Sequence, residues 1–451
     1  MDTSPKVLEI PKDEVVMEDD ETIVPEKKYS QSMLNYMTLL AIMQGFAALI
    51  NLNVVFMLAG MVPKALNVHP FSTTVVFIFE GVACVVNTII FWTNPLKPWL
   101  TVSICYVQAA AHVFQIIVAS LVNSSVGKYM YLFGTAVCGA AFGCNCMTSF
   151  ALVAFAPVNK LGAFSFGCAL GGVVPFLFST AVQFTFFADE TVASTKGMMC
   201  SMMTFVIILS VACAINLTIY LNNEDIKRHY AQVHSDGITS VKCTLRAAAR
   251  GMKYTWKIVV IQFISYINIL TFYPSILPLS MWVEFSYRIV LIGVFQFCDT
   301  LGRAIGVFVD PKWLPCNTLD RVIILATCNL GTTAFLVCST IFHKTFLGKF
   351  GVILVGFIVF ATVGGYCNSY ADKSIGEHVP KHLDKETVVS TTSVFSIIIS
   401  VFCATGSLIA SFLVKAFPEP VVPTVEDLAN AAAARVQDAV NEALNTITAA
   451  S

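Results

Sequence analysis

The chain has 451 residues, of which 56% are apolar and 12% charged, against roughly 45–50% apolar and about 25% charged in an ordinary soluble protein. With a mean hydropathy of +0.75, this composition excludes a water-soluble globule and predicts an all-α polytopic membrane protein. A formal net charge of -1, from 27 basic and 28 acidic residues, leaves no basic surface for nucleic acid.

Residues 1–32 are expected to be a disordered acidic tail. The first 28 carry nine acids, four lysines and three prolines with no apolar periodicity. The first apolar run begins near Met33 and is too long for the core of a cleavable leader, so it is read as the first span. Eleven runs reach the length of about 20 residues that a bilayer core requires. Six lie at 33–62, 71–92, 99–122, 129–155, 162–187 and 198–221, and five at 257–281, 287–309, 322–342, 350–370 and 388–417. This organisation predicts a six-helix bundle over 33–221, a basic loop over 222–256 with an amphipathic run at Ser240 to Lys253, and a five-helix bundle over 257–417. The C-terminal segment 418–451 opens on Pro418, Pro420 and Pro423 and then shows apolar residues at helical spacing, which predicts an amphipathic helix.

Alternate loops differ in charge. Eighteen Lys and Arg residues fall on the side of the N-terminus and eight on the other. Because cytoplasmic loops retain positive charge, the N-terminus is expected inside the cell and the C-terminus outside, in the plasma membrane. Asn123-Ser124-Ser125 then forms a glycosylation sequon on the external side. Most of the fifteen cysteines sit in apolar runs and are read as reduced packing residues, and none has metal-site spacing.

Ionisable groups at bilayer depth are costly and point to function. Asp299 and Arg303, four residues apart near the middle of the eighth span, lie on one helix face with Gln296 a turn earlier. That face is either a lock between helices or the polar wall of an aqueous cavity, and the second reading is the one adopted. Glu80 in the second span has no basic residue within a turn. It is buried in protonated form, lines the same cavity, or exchanges a proton. His112 is read as a helix-packing residue. Asn51, Asn53, Asn145, Asn268 and Asn368 are neutral donor-acceptors within spans. Small residues in Gly139-Ala-Ala-Phe-Gly143 and Gly167-Cys-Ala-Leu-Gly171-Gly172 allow close helix approach, and Pro175, Pro274 and Pro278 interrupt helical hydrogen bonding.

These residues resemble the equilibrative nucleoside transporter family, in a divergent, protozoan-like form. Phe295-Gln-Phe-Cys-Asp299-Thr-Leu-Gly302-Arg303 is similar to the family's eighth-helix signature. Phe272-Tyr-Pro-Ser-Ile-Leu-Pro278 resembles its seventh-helix end, and Gly45-Phe-Ala-Ala-Leu-Ile-Asn-Leu-Asn53 its first helix, with Asn51-Leu52 in place of the family's Pro-Trp. The six-plus-five layout agrees. The resemblance covers about residues 33–417 and implies a facilitative, alternating-access carrier of nucleosides or nucleobases, serving purine salvage, with major-facilitator-like architecture. It implies that Asp299, Arg303 and Gln296 bind the solute, that Leu49, Leu52, Asn53 and Phe56 form a first-helix wall, and that Asn145 supplies a fourth-helix contact.

No nucleophile-and-base pair or metal cluster suggests an enzyme, and two unequal halves do not suggest a channel ring. The expected partners are a small solute and the lipid bilayer, with the protein a monomer and without a cofactor. The competing expectation is a carrier of similar fold for a sugar, an amino acid or a folate-like compound, with or without proton coupling.

Overall fold

The computed structural model describes residues 29–59, 61–68, 72–122, 125–158, 160–186, 191–273, 276–277, 281, 285–379 and 383–413. The expectations for residues 1–28 and 414–451, for Asn123 and Ser124 of the sequon, and for Pro274 and Pro278 lie outside these residues.

Every regular element among the described residues is helical. In chain order they are α1 (Gln31–Ala59), the short α2 (Val62–Leu66), α3 (Ser72–Trp92), α4 (Pro98–Leu121), α5 (Ser125–Ala154), α6 (Leu161–Phe186) and α7 (Val192–Asn222). There follow α8 (Glu224–Ser235), α9 (Leu245–Phe272), α10 (Phe285–Phe308), α11 (Leu319–Ile341), α12 (Phe350–His378) and α13 (Lys385–Leu413). All but α2 and α8 are long and apolar enough to cross a bilayer, giving eleven such helices among the described residues. Local sequence sets their ends. Pro98 stands in the first turn of α4, where its missing N–H costs nothing. Thr191 and Thr244 cap α7 and α9 by accepting hydrogen bonds from Ser194 N at 3.0 Å and Ala247 N at 3.1 Å.

Several spans extend past the windows that hydropathy indicates; α7, for one, starts at Val192 and not near 198. Helix α9 starts at Leu245, not near 257, so most of the amphipathic run at 240–253 is the first part of a spanning helix. Helix α12 continues eight residues past Tyr370 to His378. At 1.5 Å per residue, a helix of 29 residues is about 44 Å long and exceeds the apolar core of about 30 Å. Polar turns at helix ends therefore escape a search for apolar windows.

Helices α1 and α3 to α7 pack among themselves, as do α9 to α13. The two halves meet where α6 lies on α10 and α12, and where α3 and α5 lie on α13. Glycines permit the closest crossings. A Cβ at Gly45 would overlap the Phe164 carbonyl oxygen, and one at Gly167 the Ile42 carbonyl oxygen, so α1 and α6 touch backbone to backbone. Gly139 and Gly143 of α5 meet Phe79 and Ala83 of α3 in the same way.

The halves are not joined equally at the two ends of the helices. The face on which α1 begins is here called the N-face. Near it, Phe91 and Met147 of the first half share an apolar cluster with Cys243, Ala248, Val389 and Val394 of the second. Phe150, Phe164 and Cys168 likewise pack with Ile258, Ile261, Tyr366 and Phe395. Toward the opposite face, the described clusters each belong to one half alone. The connection between the halves reinforces the N-face. Asn94, in the left-handed region at φ 66°, donates from Nδ2 to the carbonyls of Ile238 at 2.8 Å and Val241 at 3.0 Å. Lys385 Nζ donates to the Asp236 carbonyl at 2.7 Å, and Thr244 Oγ1 donates to Glu386 Oε1 at 2.8 Å. At the start of α13, hydrogen bonds from Thr387, with Arg250 nearby, hold the exposed Asp384 carboxyl below the ordinary carboxylate range.

Candidate solute site between the halves

Helix α10 carries Gln296, Asp299 and Arg303 toward α6 and α12. Arg303 Nε donates to Asp299 Oδ2 at 3.1 Å, the intrahelical pair that the four-residue spacing predicts. Arg303 Nη1 extends across the boundary between the halves and donates to Ser165 Oγ on α6 at 3.1 Å. Both charged residues are buried, with 7% and 8% exposure for Asp299 and Arg303. Asp299 Oδ1 is buried and has no hydrogen-bond partner. The pair lies toward the N-face and not at the centre of the span: Arg303 is five residues from the end of α10, and Ser165 four from the start of α6.

Gln296 sits farther from the N-face. It donates from Nε2 to the Tyr273 hydroxyl at 3.2 Å and packs against Gly172, where any side chain would strike its amide oxygen. The Tyr273 ring stacks on Phe295, with centroids 3.5 Å apart and planes inclined by 16°. Gln296 thus reaches α6 as Arg303 does, and the boundary between α6 and α10 carries both.

A third charged residue belongs to this network and was not among those expected. Asp372 of α12 is 5% exposed, accepts from Gln262 Nε2 at 3.0 Å, and is hydrogen-bonded to the Ser165 side chain. Ser165 therefore joins Arg303 to Asp372. The expected tenth span ends at Tyr370, which leaves Asp372 outside the bilayer. The available signal was helical spacing, since Asn368 and Asp372 are four residues apart and continue the face of Gly364.

The other expected residues occupy separate places. Glu80 on α3 is half-buried and makes no ion pair among the described residues. Leu49, Leu52 and Phe56 of α1 pack on the apolar cluster of the first half, with Leu49 beside Gly171 of α6. Asn53 donates to its own helix at the Leu49 carbonyl, 3.1 Å away. Asn145 is fully buried and accepts from Ser149 Oγ at 2.9 Å, while Ser149 also bonds Gln44 of α1 at 3.2 Å. Among the described residues no hydrogen bond links Asn145 or Asn53 to the Arg303 network. Asn51 and His112 hold α1 to α4 through a 2.8 Å contact between Nε2 and Oδ1, and Asn51 Nδ2 donates to the Cys138 carbonyl of α5.

That last arrangement makes His112 a packing residue. His112→Leu is expected to lower stability by about 1–2 kcal/mol, the range for interhelical hydrogen bonds in lipid, with solute preference unchanged. Thermal unfolding in detergent, paired with competition assays, tests this; altered solute preference would contradict it.

A groove of about 640 Å³ lies elsewhere, between α11 and α12, lined by residues such as Cys328, Gly331, Phe335, Val355 and Val359. Its walls are apolar and Val355 and Val359 are exposed on spanning helices. It offers a polar solute little to bind, so the charged network between α6, α10 and α12 is the stronger candidate.

No known family's sequence profile matches the chain, and no curated protein matches it in sequence. Its fold does match solved structures. One is the major facilitator superfamily proton:xylose symporter XylE bound to 6-bromo-6-deoxy-D-glucose, with a TM-score of 0.61 and 11% identity over 87% of this chain and 92% of that one. Another is a partially occluded inward-open conformation of the xylose transporter XylE from E. coli, with a TM-score of 0.53 and 12% identity over 87% of this chain and 100% of that one. Identities this low speak to architecture. The chain is an all-helical, multi-pass membrane protein with the fold of the major facilitator superfamily transporters.

Proposed function

We propose that the protein is a facilitative, alternating-access carrier of purine nucleosides or nucleobases, with its solute held between the halves at α10. The observation that carries this reading is the Asp299–Arg303 pair on the boundary with α6, where Asp299 Oδ1 is buried without a partner. A buried acceptor lacking a donor is costly, and a hydroxyl or ring N–H of the solute supplies one. Gln296 adds an amide donor and acceptor on the same face. In this reading the half-buried Leu49, Leu52, Asn53 and Phe56 of α1 form the first-helix wall, and Asn145 of α5 and Glu80 of α3 contribute further solute contacts.

Alternation proceeds by rocking of the two halves around this site. Bilateral apolar contacts at the N-face and separate clusters at the other support a form closed at the N-face. Arg303 with Ser165 is the floor beneath the solute, and it parts when that face opens. In this reading, the charge bias of the loops has the closed side facing the cytoplasm of a plasma-membrane carrier.

A sugar is the second reading, favoured by the xylose transporters among structures of this fold. Uptake of radiolabelled adenosine, inosine, hypoxanthine and xylose by cells expressing the protein separates the two. Saturable purine uptake that is lost in Asp299→Ala at matched surface expression is the expected result. A correctly surfaced wild type that takes up xylose and no purine overturns the purine reading.

A further inference from the structure

The apolar groove between α11 and α12 has no part in the solute site, and its place in the fold points to a different occupant. Gly331 of α11 and Gly351 of α12 form an open floor: both are exposed, and nothing lies within 4 Å of a Cβ built at either. Val355 and Val359, at 61% and 43% exposure, turn the groove outward from two spanning helices, so it opens sideways onto lipid. Its residues on α12 run from Gly351 to Val359, the first turns of that helix, a rise of about 12 Å. The hydrocarbon of one leaflet is about 15 Å deep, half of a core of about 30 Å. The groove thus begins beside the connection at 342–349, on the face opposite the N-face, and reaches the depth of a single leaflet. A concavity left unfilled forfeits dispersion contacts along its lining.

The shallow end of the groove is charged. The connection carries Lys344 and Lys349 and no acid. Both lysines are exposed, and neither makes an ion pair among the described residues. Lys349 stands two residues before Gly351, with its Nζ 5.5 Å from the centre of the Phe346 ring. A second copy of the chain fits this surface badly. A two-fold interface sets the same patch of each copy face to face, so two grooves would enclose a void and the lysines of both copies would lie beside it.

We infer that the groove binds one phospholipid, with an acyl chain laid over Gly331 and Gly351 and the headgroup phosphate at Lys344 and Lys349. The chain contact is open to any lipid. The phosphate contact selects a phospholipid over a diacylglycerol or a sterol, because only the phospholipid meets both ends of the site.

The test uses the delipidated full-length protein in maltoside detergent, which has no phosphate, and does not depend on which solute is carried. A trace of phosphatidylglycerol bearing a photoactivatable diazirine midway along one chain is added, and labelled peptides are located by mass spectrometry. Labelling of residues 328–335 and 351–359 is expected to exceed that of the exposed faces of α3 and α4 several-fold. Excess unlabelled phosphatidylglycerol is expected to remove the difference, and diacylglycerol with the same diazirine chain is expected to show none. Gly331→Leu/Gly351→Leu fills the groove and is expected to abolish the preference. Lys344→Gln/Lys349→Gln is expected to lower it to the diacylglycerol level. These side chains project into open space or solvent, so unchanged unfolding midpoints are expected and check that the variants are folded. The wild-type arms decide the matter without any variant. Phosphatidylglycerol label spread evenly over the lipid-facing helices overturns the inference. An equal preference shown by diacylglycerol, or displacement by cholesterol and not by phosphatidylglycerol, overturns it as well.

Discussion

Arg303→Met is expected to lower stability by about 3–5 kcal/mol, because it leaves Asp299 as a buried charge without its partner. The double variant Asp299→Leu/Arg303→Met is expected to recover most of that loss, since two apolar side chains of similar volume remove both desolvation costs together. Solute uptake is expected to behave differently. It falls by roughly tenfold to a hundredfold in the single variants, the worth of one or two hydrogen bonds to charged groups, and it stays low in the double variant. Thermal unfolding in detergent and uptake at matched surface expression read the two quantities independently. A pair that merely locked helices would let uptake recover with stability, so recovery of both in the double variant would remove the pair from the solute site. The geometry favours the split outcome, because Arg303 reaches beyond its own helix to Ser165 and Asp299 keeps one oxygen without a donor.

The second large effect concerns backbone contact. An alanine at Gly45 or Gly167 places a methyl group against a carbonyl of the facing helix, and α1 and α6 must separate to admit it. Each substitution is expected to cost about 1–3 kcal/mol, the range for overpacking a close-packed interior. Larger side chains at either position are expected to keep the protein from the cell surface. Gly81 and Gly331 are the internal controls, since nothing lies within 4 Å of a Cβ built at either. Alanine there is expected to be neutral or to stabilise by up to about 1 kcal/mol through helix propensity. Unfolding midpoints of the four variants in detergent decide the matter: Gly45→Ala as stable as Gly81→Ala would mean that the α1 and α6 backbones do not approach so closely. Because α6 also carries Ser165 and Gly172 to the candidate site, displacement of α6 is expected to depress uptake along with stability.

The helix count and chain order were legible in the sequence, because a bilayer demands long apolar runs and each run announces its own helix without reference to the rest of the chain. The pairing of Asp299 with Arg303 was legible for a similar reason. Four-residue spacing brings two side chains together on any helix, wherever that helix packs.

What composition concealed were the polar ends of long helices. The first turns of α9 include Arg246 and Arg250, and the last turns of α12 include Asp372 and Lys373. Such charges mark the edge of an apolar window although the helix continues. Asp372 was lost for that reason, and with it the third charge of the network.

Which helices face one another was decided by the tertiary structure alone. Ser165 is an ordinary small residue in an apolar run, and only the packing of α6 against α10 and α12 makes it the hydrogen-bonded bridge between Arg303 and Asp372. The closed N-face has the same origin: Phe91, Cys243 and Val389 are distant in the chain, and each is an unremarked apolar residue until the halves meet. Hydropathy and spacing are properties of single segments, so the sequence by itself determined the number and order of the spans and the charged face of α10. Contacts between halves depend on how the two bundles approach. They were therefore settled by buried partners on distant segments, such as Ser165 and Arg303, that no single segment encodes.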